Sequence, residues 1–412
     1  MEWRAYDAAK DREAVHRIWK EGGWNQPDNP LHEERLDLML AASHPVVAQL
    51  NGTAECAVIM TPGEMRYLET DLLLACVRAV TTSRVAKRQG LAKRLTAHAV
   101  AREAENGAEV SALGMFDQGF YNLLGFGTSA YSHLFQIDPA HLDIDARFRP
   151  PRRLSADDFE EVHACRVARR RVHGSCILIP PKMTRADMLA SKNAFGLGYC
   201  DAAGGSLSHG LWINPANAGP GPYWVACMAY RNTDQLKELL ALLAGMGDQV
   251  HLVKLLEPPG ICLQDLLRNP LRELRGREEG SFKLSFTAYA VSQARLLDLP
   301  KCLAKTHLRC DELRFNLSLS DPIDKYLDDS ATWRGTGGDY VVTLGADCRA
   351  EKGAVKDLPT LRASVNAFSR MWLGAVPATG LSVTDELDGP PELLEALDWA
   401  FRLPAPHFDW PF

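Results

Sequence analysis

"AVTTSRVAKRQGLAKRL", residues 79–95, decides how this chain is read. It begins where the apolar run "DLLLACVRAV" from Asp71 ends, and such a run is the pattern of a central strand. From Gly90 onward, Leu91, Leu95 and Ala99 share one stripe and Gly107 stops it, the pattern of an amphipathic helix. Between the two, Arg84, Lys87, Arg88, Lys93 and Arg94 surround a single glycine in a chain of formal charge −6. A helix start carries unpaired N–H groups and the positive end of the helix dipole, so it suits phosphate. Glycine has no Cβ to keep ligand oxygens from the backbone. The expected ligand is a diphosphate held mainly by main-chain donors, with Lys87 and Arg88 adding mobile positive charge.

Working outward, the preceding residues read as a short strand at 2–7 and a helix over "DREAVHRIWKEGGW", with Val15, Ile18 and Trp19 at helical spacing and Asp11 as its cap. A second helix covers "HEERLDLMLAAS". Strands "HPVVAQL" and "TAECAVIMTP" flank Asn51-Gly52, a strong hairpin-turn signal. Beyond the basic helix come strand "AEVSALGMF", a short helix in "DQGFYNLLGFGT", and strand "SAYSHLFQI", which closes a β/α unit.

"RFRPPRRL", residues 147–154, reads as a linker. After it, "ADDFEEVHACRVARRR" is helix-like. Strand "YWVACMAY" leads into helix "TDQLKELLALLAG", and "QVHLVKLL" leads into helix "CLQDLLRN", a weak echo of the first unit. That second strand-to-helix join has Asn232-Thr233 as a cap and neither glycine nor basic cluster, so it is expected to hold no coenzyme. From about residue 291, helix "ARLLDLPKCLAKTH", strands "LRFNLSLSD" and "DYVVTLGAD", and helices "LRASVNAFSRMWLG" and "PELLEALDWAF" form an α+β module.

The length of 412 residues calls for roughly two to four domains. Hydrophobic content of 46% and charged content of 24% are globular values. The mild acidity argues against a nucleic-acid binder and is compatible with cationic small substrates. The ten cysteines show no CxxC pair and no zinc spacing, and read as buried thiols of a reducing cytosol. The opening "MEWRAYDAAKDREAV" is no signal peptide, and no run is long enough to span a membrane. The sequence has no HExxH, GxSxG or P-loop motif, and no metal is expected.

"AVTTSRVAKRQGLAKRL", followed by "FYNLLGFG", resembles the acetyl-CoA motif and late tyrosine of the GNAT acetyltransferases. "NAFSRMWLGAVPATGLSVTDEL" and the terminal "WPF" resemble the enhanced-intracellular-survival (Eis) family. The resemblance covers essentially the whole length and is strongest over 70–130 and 360–412. It implies an α/β (α+β) chain: an N-terminal GNAT domain at 1–146, a second, degenerate GNAT-like domain at 147–290, and a sterol-carrier-protein-like domain at 291–412.

It also implies roles. Val80 and Thr82 offer backbone groups to the pantetheine arm, and Lys87, Arg88, Gly90, Leu91 and Ala92 line the diphosphate loop. Lys87 stands where the family usually has Arg or Gln, a small departure where main-chain donors dominate. Tyr121 is the general acid. Its phenol has an ordinary pKa near 10, so it is protonated at neutral pH and can donate to the departing CoA thiolate. The carboxylate of Phe412 folds back as general base, with a pKa of about 3.3–3.7 in water that burial would raise. Pro411 stands where family members can carry an acidic residue, and Asp409 is the substitute that remains. Trp24, Asp28, Glu33 and Phe116 are candidate acceptor lining, with Phe116 where the family can have a serine.

The function implied is acetyl-CoA-dependent N-acetylation of primary amines on a polycationic acceptor, such as an aminoglycoside or another polyamine, with no metal. The alternatives are a protein-lysine acetyltransferase and a non-catalytic protein that binds CoA or an apolar ligand. The resemblance further implies a cytoplasmic homohexamer.

Overall fold

The apolar runs assemble into sheets of eight, seven and five strands among the described residues of a computed structural model, which are 2–24, 31–202, 204–216, 219–271, 274 and 283–410. The first sheet contains β1 (Glu2–Ala5), β2 (His44–Leu50), β3 (Thr53–Tyr67), β4 (Thr70–Thr82) and β5 (Val110–Gly114) as neighbours in that order. Helices α1 (Ala8–Glu21) and α2 (Leu31–Ala41) join β1 to β2, and α3 (Leu91–Glu105) joins β4 to β5. The short α4 (Gln118–Asn122) follows β5, and β6 (Gly127–Thr128) follows α4.

Alternation along the strands places an apolar cluster on each face of this sheet. On the α3 face, Leu91, Leu95 and Tyr121 pack with Val58, Met60, Ala75 and Val77. On the other face, Val15, Trp19, Leu36 and Met39 pack with Ile59, Leu74 and Cys76. Asn51 and Gly52 both have positive φ, 53° and 81°, as the tight β2–β3 turn requires. The cap of α1 is Asp7 rather than Asp11: its side chain accepts from Ala9 N at 3.0 Å. Asp11 lies one turn inside, buried, where Arg4 Nη1 and Nη2 donate to it at 2.6 and 2.7 Å.

Two strands cross between the sheets. Ser132–Ile137 follows β6 but pairs in the seven-stranded sheet, between Ser285–Tyr289 and Val253–Leu256. Ser292–Leu296 enters the first sheet between β5 and β6. The expectation of a helix from Ala294 is therefore corrected: the helix is Leu299–Ala304, capped by Asp298, and the residues before it are strand. Pairing on both edges and burial of Ala294 and Leu296 outweigh local propensity there. "LRASVNAFSRMWLG" likewise divides into strand Thr360–Ser364 and helix Val365–Trp372, with Ser364 as cap. "CLQDLLRN" forms one turn of 3₁₀ helix at Leu263–Leu266, and the helix expected over 156–171 is Phe159–Val167, which stops before the arginine run.

The seven-stranded sheet is packed by helix Thr233–Ala244 through Leu236, Leu239, Leu240 and Leu243. The five-stranded sheet runs Arg349–Lys352, Gly338–Leu344, Leu313–Ser320, Thr360–Ser364 and Leu387–Asp388. Its core is continuous with the α1/α2 face of the first sheet. Trp372 stacks on Tyr67 at 4.2 Å, and the Tyr67 hydroxyl donates to the Trp372 carbonyl at 2.8 Å. Among the described residues no helix is long and apolar enough to cross a membrane.

Candidate active site

The site begins where the first sheet opens. β4 pairs with β5 in parallel only from Leu74↔Val110 to Val77↔Leu113. On its other edge β4 stays paired with β3 as far as Thr82↔Cys56, but with a bulge: Ile59 faces Ala79 and Met60 faces Val77, so Arg78 is the extra residue. A bulge bends and twists its strand. Beyond it, the edge of β4 that carries Val80 and Thr82 has no strand partner on the β5 side among the described residues. Such an edge presents backbone donors and acceptors to an extended ligand.

From Thr82 the chain makes one 3₁₀ turn, Arg84–Ala86, and enters α3 at Leu91. Arg88 and Gly90 both have left-handed backbones, with φ of 62° and 76°. Gly90 caps the helix without a side-chain bond. Among the described residues nothing accepts from the amides of Leu91, Ala92 or Lys93. A Cβ on Gly90 would meet no atom within 4 Å. Exposed Lys87 and Arg88 flank this open helix start, whereas Lys93 lies over the Tyr326 ring at 5.0 Å. Unsatisfied donors, the dipole end and two cations fit a diphosphate.

Tyr121 lies in the same apolar cluster as Leu91, with Val80 and Ala92 packed against that cluster. Asp117 caps α4, accepting from Phe120 N at 3.0 Å, and so fixes the turn that carries the phenol. The ring is walled by Phe120, Phe116 and Phe126, all edge-on, at 4.9, 5.9 and 6.2 Å. Its hydroxyl makes no hydrogen bond among the described residues, and burial, assisted by the Asp117 charge, pushes its pKa above the ordinary phenol value. The raised pKa keeps the phenol protonated at neutral pH.

The other candidates are more scattered. Trp24 is half exposed beside Trp19, at 6.3 Å. Glu33 is already paired with Lys20 at 2.8 Å. Phe116 is exposed beside Tyr121. Asp409 already has its cation: Arg169 holds it by two bonds, of 2.7 and 3.0 Å, and Cys176 N donates to it at 3.1 Å. Burial alone would raise its pKa, but Arg169 outweighs that and holds the carboxyl below its ordinary value. Asp28 and Phe412 lie outside the described residues.

A cluster behind the bulge was not read from the sequence. Arg78 pairs with Asp187 of helix Pro181–Met188, and Arg166 donates to the same carboxylate at 3.0 Å. Arg35 of α2 joins it through the carbonyl of Ala186, at 3.2 Å. The ring of Trp410 sits over the Arg166 guanidinium at 3.6 Å. The tail thus runs to the residues that hold the bulge. The signal was available: Arg78 is the lone charge in "LLLACVRAV". Among the described residues no group of three or more His, Cys, Asp or Glu gathers as a metal site.

Residues 5–129 match the acetyltransferase (GNAT) domain family. No curated protein sequence matches the chain. Three of the solved structures that share its fold over its whole length illustrate the likeness. They are a GCN5-related N-acetyltransferase from Anabaena variabilis (13% identity, TM-score 0.77, all of both chains), Eis1 from Mycobacterium abscessus (15%, 0.76, all of both chains), and a GCN5-related N-acetyltransferase from Kribbella flavida (15%, 0.74, all of this chain and 98% of the other). At these identities the likeness is one of fold.

Proposed function

We propose that this chain, an N-acetyltransferase whose residues 5–129 are a GNAT domain, moves an acetyl group from acetyl-CoA to a primary amine, with Tyr121 as general acid. One observation carries this reading. The uncapped start of α3, the left-handed Gly90 and the half-open edge of β4 adjoin one apolar cluster that also holds a buried, proton-retaining phenol. When bound, acetyl-CoA supplies the thioester whose carbonyl carbon the amine attacks. The amides of Leu91, Ala92 and Lys93, with Lys87 and Arg88, hold its diphosphate, and Val80 and Thr82 align its pantetheine arm. As the carbon–sulfur bond breaks, the Tyr121 hydroxyl gives its proton to the departing thiolate. The amine's proton goes to a base, for which the carboxylate of Phe412 is proposed. What supports this assignment is that Trp410, two residues earlier, packs on Arg166, which shares the Asp187 carboxylate with Arg78 at the bulge.

The polycationic acceptor, the homohexamer, the cytoplasmic location and the division 1–146, 147–290 and 291–412, with its sterol-carrier-like third domain, are proposed with the same reading. The whole-length fold likeness to Eis1 bears on the division alone; the acceptor, the hexamer and the location rest on the reading of the sequence. The experiment is release of CoA from acetyl-CoA against diamines, aminoglycosides and lysine peptides. Small amines should turn over and peptides should lag. Turnover of peptides alone would replace the small-molecule acceptor with a protein.

A further inference from the structure

Helix Val365–Trp372 overlaps "NAFSRMWLG", and no step of the proposed transfer uses it. Its first turn lies against the turn that carries Tyr121. Asn366 is 8% exposed, and its Nδ2 donates to the carbonyl of Asn122 and to that of Phe126, both at 2.9 Å. Asn122 directly follows Tyr121 as the last residue of α4. Phe126 closes the turn, its N–H donating back to the Tyr121 carbonyl at 3.2 Å, and Leu124 N donates to the same oxygen at 2.9 Å. One side-chain amide from the distant C-terminal unit therefore ties both ends of the Tyr121 turn.

The backbones on either side leave no play. A Cβ on Gly127 would fall 2.4 Å from the Asn366 carbonyl oxygen, and one on Gly125 would fall 2.7 Å from Val365 Cγ1. One helical turn on, Arg370 Nε donates to Thr128 O at 2.9 Å, and its guanidinium pairs with Asp385 at 3.1 Å. Arg295 adds a bond to the Leu124 carbonyl. An interface that needed only apolar burial would be served by Val365 and Phe368, both fully buried. Directed donors aimed at alternate carbonyls from Asn122 to Thr128 do something different. They fix the roll and translation of α4, and so the position of the phenol, because moving α4 would leave buried carbonyls unpaired.

We propose that Asn366 is a positioning residue for Tyr121, which makes the C-terminal unit a working part of the transfer site. This rests on the assignment of Tyr121 as the acid. The test uses the full chain carrying Asn366→Ala, Tyr121→Phe, or both, with folding followed by circular dichroism. Asn366→Ala is expected to lower kcat by about 10–100-fold, the scale of a misplaced catalytic group. KM for acetyl-CoA should stay within about twofold. In the Tyr121→Phe background the same change should cost less than about twofold further, because the two residues act as one device. An unchanged kcat in Asn366→Ala, or a loss just as large without the phenol, overturns the proposal. Full turnover by Tyr121→Phe instead overturns the acid assignment on which it stands. If the alanine variant does not fold, Asn366→Ser is read the same way, since a hydroxyl cannot donate to both carbonyls.

Discussion

The rings of Tyr121 and Phe120 meet edge to face, with centroids 4.9 Å apart and planes at 89°. Neighbours on one short helix thus wall the phenol proposed as the acid. Tyr121→Phe keeps that packing and removes only the hydroxyl. Turnover should fall by about 10²–10⁴-fold, while acetyl-CoA binding measured by calorimetry stays unchanged. Because burial raises the phenol above its ordinary pKa, the wild-type rate should show no alkaline loss from Tyr121 as the pH approaches 10.

Gly90 offers a sharper test of the diphosphate loop. Its φ of 76° is left-handed, so Gly90→Ala should cost about 1 kcal/mol of stability. The added methyl meets nothing of the protein within 4 Å and projects into the open space where the proposed diphosphate would lie. Acetyl-CoA affinity should therefore fall at least about tenfold, more than the strain accounts for. Equal affinities by calorimetry would move the diphosphate elsewhere.

The tail should be a stability element as well. Asp409→Ala strands the Arg169 guanidinium, and removing one partner of such a buried pair costs about 3–5 kcal/mol. Chemical denaturation should register the loss. Gly174→Ala should loosen the same segment, because its Cβ would lie 2.5 Å from His407 N in a left-handed backbone.

The second unit carries its own acid sensitivity. Arg149 holds the Glu238 carboxyl at about 2, aided by His209, and a depressed carboxylate stabilises the fold above its ordinary pKa. That contribution should be lost as the pH falls from about 4.5 toward 2. Burial lowers the pKa of His209, so its contribution begins to fade earlier, as the pH falls below its ordinary value of 6.5. Thermal midpoints across this range should decline in two stages, and Glu238→Gln should flatten the more acidic one.

The sequence was most legible where local rules coincide. Strand, basic turn and amphipathic helix around Gly90 could be read from pattern alone, since a helix N-terminus makes its site from its own backbone. The Asn51-Gly52 turn and the cap at Asn232 are equally local. Reading failed where an apolar stretch could serve either state. Ala294–Leu296 is short, and only its neighbours β5 and β6 make it strand.

What the sequence determined by itself is the strand, the basic turn and the helix start around Gly90, because backbone geometry belongs to short segments. What only the tertiary structure decided is how that site is held: the Arg78 bulge pinned by Asp187, the tail seated on Arg166 and Arg169, and the Tyr121 turn gripped by Asn366. Each of those contacts joins residues separated by long stretches of chain. Their energy comes from the burial of paired polar groups, which no local pattern encodes.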